Sequence, residues 1–234
     1  MSRKQLAGEL TGLLGYQPSL ERFYPGRGWG LKYLLYKPGE QVPVAVLKVA
    51  SMIIERRLRT RLGETYMAPA GRFERESGIL ARLAAIGLGP GVLACLEDYF
   101  VRDYIAGQTL AGMSAAQIAR RLPSVLDAVD RACAAGIFHT DLNAGNVIVE
   151  PTGGIKFIDC EIPRDPPDEA NDIAGARAYC HQRLLYSLAG ATGCDTVISD
   201  TAGEYFSAAE NPPISPEQAS ALVLGKTELG ENQR

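Results

Sequence analysis

Asp141, Asn146 and Asp159 have the types and the spacing to hold a divalent cation beside an activated hydroxyl. The first two are five residues apart in His139-Thr140-Asp141-Leu142-Asn143-Ala144-Gly145-Asn146, and Asp159 follows thirteen residues after Asn146. Val147-Ile148-Val149 comes directly after the amide, and Ile155 with Phe157-Ile158 comes just before the second carboxylate. Two short apolar runs around a turn predict a tight hairpin, which returns the chain to its own start. Asn146 and Asp159 then share one end, where both can hold one cation, and Asp141 faces outward toward a hydroxyl. Transfer of a phosphoryl group requires this arrangement.

The rest of the chain must position these groups. Residues 3–14 predict a short helix ending near Gly15, and residues 19–24 and 31–37 predict two strands around Gly26-Arg27-Gly28-Trp29-Gly30. The second strand stops at Lys37-Pro38-Gly39-Glu40, and Val42 to Ala50 is a further strand with Lys48 near its end. Three successive strands suggest an antiparallel meander. Residues 51–62 read as helix and 63–71 as loop. The run 72–86 is helical, with Phe73, Ser77, Leu80 and Ala84 along one face and Ile79, Leu83 and Ile86 widening it. It ends at Gly87-Leu88-Gly89-Pro90-Gly91, where glycine and proline make continuation costly. Strands over 92–96 and 99–105 complete a β-β-β-α-β-β order. Gly107 marks the junction between a first domain, residues 1–106, and a second, residues 107–234, where the pattern turns helical. Ser114 and Gln117 form a capping box, and Pro123 starts or interrupts the next helix, which runs to Gly136. Further helices are predicted over 169–189 and from Ser215-Pro216, and the polar tail from Lys226 frays.

Composition narrows the class. The chain is 46% hydrophobic and 22% charged, ordinary for a soluble globular protein, and a net charge of -3 gives no global field for nucleic acid or an anionic membrane. Its five cysteines are odd in number, widely spaced and without a CxxC, which fits reduced thiols in the cytoplasm. His139 and His181 are the only histidines, too few and too scattered for a structural zinc site. Met1 to Leu14 lacks the apolar core of a signal peptide, and no run approaches the length of a transmembrane segment. Arg56, Arg57, Arg59 and Arg61 form either a solvated helix face or a contact with an anionic substrate or lipid headgroup.

His139–Asn146 together with Asp159 resembles the protein kinase-like superfamily, with the likeness spanning residues from about 20 to 190. The run His139-Thr140-Asp141-Leu142-Asn143-Ala144 followed by Asn146 particularly resembles the bacterial lipopolysaccharide-core kinases, including kinases of the Kdo sugar. The resemblance implies an α+β, bilobal protein kinase-like fold. Its N-terminal lobe would be an antiparallel sheet with one main helix, and its C-terminal lobe reduced and mainly helical. ATP and Mg²⁺ are the implied cofactors. Lys48, closing Val44-Ala45-Val46-Leu47-Lys48, matches the lysine that reaches the α- and β-phosphates. A lysine on an apolar strand is expensive unless paired, and Glu76 is the implied carboxylate, with Glu74 facing elsewhere. Gly26, Gly28 and Gly30 match the glycine turn over the phosphates, although the third follows the second by two residues where the family usually has three. Backbone groups near Asp103 and Ile105 are implied readers of the adenine edge.

In the second half, Asp141 is implied as the catalytic base or acceptor-orienting carboxylate. Asn143 stands where protein kinases often carry a lysine or arginine, and it orients Asp141 or the loop. Asn146 and Asp159 are the implied Mg²⁺ ligands, and His139 packs behind the loop. Asp159-Cys160-Glu161 replaces the usual Asp-Phe-Gly, which argues against a regulated flip. Cys160 reads as a small buried residue, and Glu161 either touches the metal through water or lies on the surface. Asp172 either anchors the catalytic loop or caps its own helix.

The leading expectation is an ATP-dependent kinase moving the γ-phosphate to a hydroxyl on a small molecule or sugar. It would work in the cytoplasm, with peripheral contact at the inner face of the membrane as a second setting. A protein kinase, including one that phosphorylates itself, is the second reading. The short stretch after Asp159, with Pro163 to Pro167 close behind, leaves little room for a peptide platform. A nucleotide-binding pseudokinase acting through a partner is the third.

Overall fold

A computed structural model of the chain describes residues 3–23, 31–51, 55, 56, 59, 60, 63, 68–160, 173–192 and 196–225. The chain is α+β and divides into two units, Met1–Ala84 with Pro90–Ile105, and Ala85–Gly89 with Ala106–Arg234. Among the described residues no helix is long and apolar enough to cross a membrane.

In the first unit, strands β1 (Ser19–Phe23), β2 (Leu31–Tyr36), β3 (Pro43–Val49), β4 (Val92–Cys95) and β5 (Tyr99–Asp103) form one antiparallel sheet in the order β1-β2-β3-β5-β4. Successive side chains on a strand point to opposite faces, so alternation decides what covers each side. Leu35, Ala45, Leu47, Tyr99 and Val101 face helix α1 (Arg3–Leu14), whose Leu6 and Leu10 close that core. The Tyr99 hydroxyl finishes the contact by donating to Glu9 at 2.8 Å. The opposite face carries Lys48 and Phe100, which meet Glu76 and Phe73 of helix α2 (Pro69–Ala85). Helix α2 begins three residues before the expected Arg72, and its buried Phe73, Glu76, Ser77, Leu80 and Leu83 make one stripe.

In the second unit, β6 (Gln108–Thr109), β7 (Val147–Val149) and β8 (Ile155–Phe157) form a small antiparallel sheet. Gly107 is needed there for a close approach, since a Cβ would lie 2.5 Å from the Val149 carbonyl oxygen. Helix α3 (Ala115–Ala134) begins at the Ser114–Gln117 capping box and continues past Pro123 without a break. The expected break at that proline is therefore corrected. Proline inside a helix costs about 3 kcal/mol, and burial of Ile118, Leu122, Val125, Leu126 and Val129 on one face outweighs it. Helices α4 (Ile173–Thr192), α5 (Thr196–Ala208) and α6 (Pro216–Val223) complete the unit.

A charged cluster ties three of these helices. Asp130 of α3 accepts from Arg177 of α4 at 2.6 and 2.7 Å, from His181 Nε2 at 2.7 Å and from Tyr205 of α5 at 3.3 Å. Burial alone would push the Asp130 carboxyl up. Hydrogen bonds from Arg177 and His181, and their charges, outweigh it and hold the carboxyl below its ordinary value of 3.8. A depressed native value means the stabilisation is complete above about pH 4 and fades as pH falls toward the native value. Asp130→Asn should therefore cost about 3 kcal/mol at pH 7, and urea titrations should show the gap to wild type narrowing below pH 4. A gap that stays constant down to pH 2.5 would show that the carboxylate charge contributes nothing.

Candidate active site

In the first unit, a short apolar strand carries Lys48 into the interior, where side chains of Lys48 and Glu76 are both fully buried. Lys48 Nζ lies 2.5 Å from Glu76 Oε1 and 5.6 Å from the Phe100 ring centroid. The pairing satisfies the requirement that a buried ammonium have a carboxylate. Lys32 stands directly opposite Lys48 in the β2–β3 register and is only 6% exposed. Like charges opposite one another on paired strands repel, and this register sets two lysines side by side on one face of the sheet. Nothing in the run Leu31-Lys32-Tyr33 marks this, because it depends on cross-strand register.

Gly26, Gly28 and Gly30 lie outside the described residues, as do Arg57, Arg61, Glu161 and Asp172. Arg56 and Arg59 are exposed. Asp103 ends β5 and is held at both backbone groups: its N–H donates to the Gly91 carbonyl at 2.9 Å and its carbonyl accepts from Arg102 Nη1 at 3.0 Å. Its carboxylate also accepts from the Gly91 N–H at 3.1 Å. A base edge read at this carbonyl would share it with a guanidinium. Ile105 is buried two residues on.

In the second unit, the hairpin β7–β8 brings its ends together as its length dictates. The Ile158 N–H donates to the Asn146 carbonyl at 2.9 Å. The Asn146 side-chain amide donates to the Asp141 carbonyl at 2.9 Å, to Asp141 Oδ2 at 3.3 Å and to the Asp159 carbonyl at 3.5 Å. With its N–H groups so engaged, the amide is oriented and its oxygen is the donor atom on offer. Asn143 braces the turn between them, accepting from the Gly145 N–H at 2.9 Å and donating to the Asp141 carbonyl at 3.0 Å. Asp159 has φ +57°, the one non-glycine residue in the left-handed region among those described. Aspartate tolerates that region better than most residues, at a cost of about 1 kcal/mol or more.

His139 is a supporting residue. It is buried, its Nε2 lies 2.9 Å from the Ile158 carbonyl, and its ring meets Phe157 edge-on. Cys160 is buried directly after Asp159. Burial pushes the Asp141 carboxyl above its ordinary value; the charge of Arg183 and the hydrogen bond from Asn146 oppose the rise, and Asp159 adds to it.

The loop is gripped from α4. Tyr179 donates to the Thr140 carbonyl at 3.3 Å, Cys180 Sγ lies 3.9 Å from the His139 carbonyl, Arg183 Nη2 lies 3.3 Å from Asp141 Oδ1, and Ser187 Oγ accepts the Ala144 N–H at 2.8 Å. Positions 179, 183 and 187 recur every four residues and so share a helix face. That polar stripe is the signal a reader of the sequence could have used, but tyrosine and leucine spacing dominates the helix. Comparison with protein-family models gave no match, and comparison with curated proteins gave none either.

Proposed function

We propose that the chain is an ATP- and Mg²⁺-dependent phosphotransferase acting on a hydroxyl, with a sugar of the lipopolysaccharide type as acceptor class. The observation that supports this most is the convergence of Asp141, Asn146 and Asp159 at one end of a hairpin, with Asp159 in a left-handed conformation. Backbone strain of this kind persists where the surroundings over-determine it, often at sites of function. The donor set fits the cation: one oriented amide oxygen and one carboxylate are hard oxygen ligands, and Mg²⁺ takes few protein ligands alongside phosphate oxygens. When bound, Mg²⁺ supplies charge neutralisation on the phosphates.

The chain's own residues divide the remaining work. Lys48, held by Glu76, serves the α- and β-phosphates. Asp141 orients the acceptor hydroxyl and takes its proton as the acceptor oxygen bonds to the γ-phosphorus. The bond from that phosphorus to its bridging oxygen breaks and ADP leaves. Asn143 keeps the turn in shape, and His139 holds the loop against the hairpin.

The test is incubation of the full chain with γ-labelled ATP, Mg²⁺ and a cell extract fractionated into protein, lipid-linked sugar and small metabolites. Label should appear in a sugar fraction and vanish with EDTA. Label confined to protein would replace the sugar acceptor with a polypeptide. No Mg²⁺-dependent consumption of ATP in any fraction would reject phosphoryl transfer.

A further inference from the structure

We infer that Arg183 is a positioning residue for Asp141, the side chain that aims the carboxylate receiving the acceptor proton. The inference rests on the phosphotransferase reading. Asp141 has two oxygens, and each meets a different donor: Oδ1 lies 3.3 Å from Arg183 Nη2 and Oδ2 lies 3.3 Å from Asn146 Nδ2. A single contact would leave the carboxylate free to turn about its Cβ–Cγ bond. Two contacts on opposite oxygens restrict that torsion. Both distances are longer than the 2.7–2.9 Å of a tight charge-assisted bond, so the grip steers the carboxylate and leaves lone pairs for a hydroxyl.

The placement of Arg183 strengthens the assignment. Its side chain is 24% exposed and that of Asp141 38% exposed, so the pair is accessible rather than sealed in the core. Tyr179 and Ser187, one turn to either side on α4, engage the loop backbone at Thr140 and Ala144, so Arg183 has its Cα fixed relative to Asp141 by its neighbours. Asn143 occupies the loop position where a cation would be local, and its side chain is committed to Gly145 and to the Asp141 carbonyl. The cation at this carboxylate therefore comes from a helix 42 residues further along the chain.

Hydrolysis of MgATP by the full chain, with water as acceptor, gives a test that needs no knowledge of the sugar. Arg183→Gln should lower kcat about 100-fold, the loss typical of a misaimed reacting group, while KM for MgATP stays within about twofold of wild type. Arg183→Lys keeps the charge without the planar fork and should recover about ten- to thirtyfold of that loss. Wild-type kcat in Arg183→Gln would overturn the assignment. So would a rise in KM with kcat unchanged, which would move Arg183 to nucleotide binding. So would a lysine variant no better than glutamine, which would reduce the residue to packing. If Arg183→Gln does not fold, a kcat for Arg183→Lys between threefold and tenfold below wild type with constant KM supports the inference, and wild-type kcat rejects it. A wild type that turns over MgATP neither alone nor with the cell extract would overturn phosphoryl transfer and this role with it, and that failure appears before any variant is compared; where turnover needs the extract, the variants are compared with it present.

Discussion

Asp141→Asn should bind MgATP within about threefold of wild type and yet transfer phosphate roughly a thousandfold more slowly, within the range for loss of a positioned base. Asparagine keeps the shape and can still contact Arg183 or Asn146, but it cannot take a proton. Asp141 touches the proposed cation ligands through the Asn146 amide, whose other donations run to backbone carbonyls that the substitution leaves in place. Nucleotide affinity should thus survive. Asp159→Ala makes the useful contrast, because it removes the carboxylate proposed to hold Mg²⁺ and should weaken Mg²⁺-dependent binding as well as turnover. Calorimetry with MgATP and phosphate-release rates on both variants separate the roles. An Asp141→Asn protein that is folded but has lost its nucleotide would mean that Asp141 belongs to the cation site instead.

The Lys48–Glu76 pair should give the largest effect on stability. Lys48→Met or Glu76→Leu alone should cost about 3–5 kcal/mol, because each leaves a fully buried charge without the partner nearest to it. Both together should cost much less than the sum, since apolar side chains of similar size can fill the space beside Phe73 and Phe100. The double variant should then be well folded and defective with nucleotide, which would separate what the pair does for the fold from its proposed role at the phosphates. Urea unfolding at pH 7 measures the cycle. Single costs that simply add would mean that the two charges are stabilised independently, by other neighbours.

The local features were legible because they are local. Val147-Ile148-Val149 and Ile155-Lys156-Phe157 needed only strand period and a turn to predict the hairpin that joins Asn146 to Asp159. Ser114 and Gln117 announced a helix start by a reciprocal pair of hydrogen bonds three residues apart. Pro123 misled, since a proline's local cost was weighed without the tertiary burial that outweighs it. Gly107 marks a junction by its place in the pattern, and its lack of a side chain is also required by Val149 some forty residues away. Lys32 and Arg183 were missed for a related reason. The first matters through a strand register and the second through a helix rotation, and neither is a property of the neighbouring letters.

The grip of α4 on the loop also has an order in time. Thr140, His139, Asp141 and Ala144 are held by residues 39 to 43 positions later in the chain. Ribosomes add roughly 5–20 residues per second, so during synthesis the loop waits about 2–8 s before its braces exist. A truncated or stalled chain ending before Tyr179 would carry Asp141, Asn146 and Asp159 without those constraints. Bracing of the loop is thereby tied to synthesis of α4, and a nascent fragment holds the loop's letters before it holds their geometry.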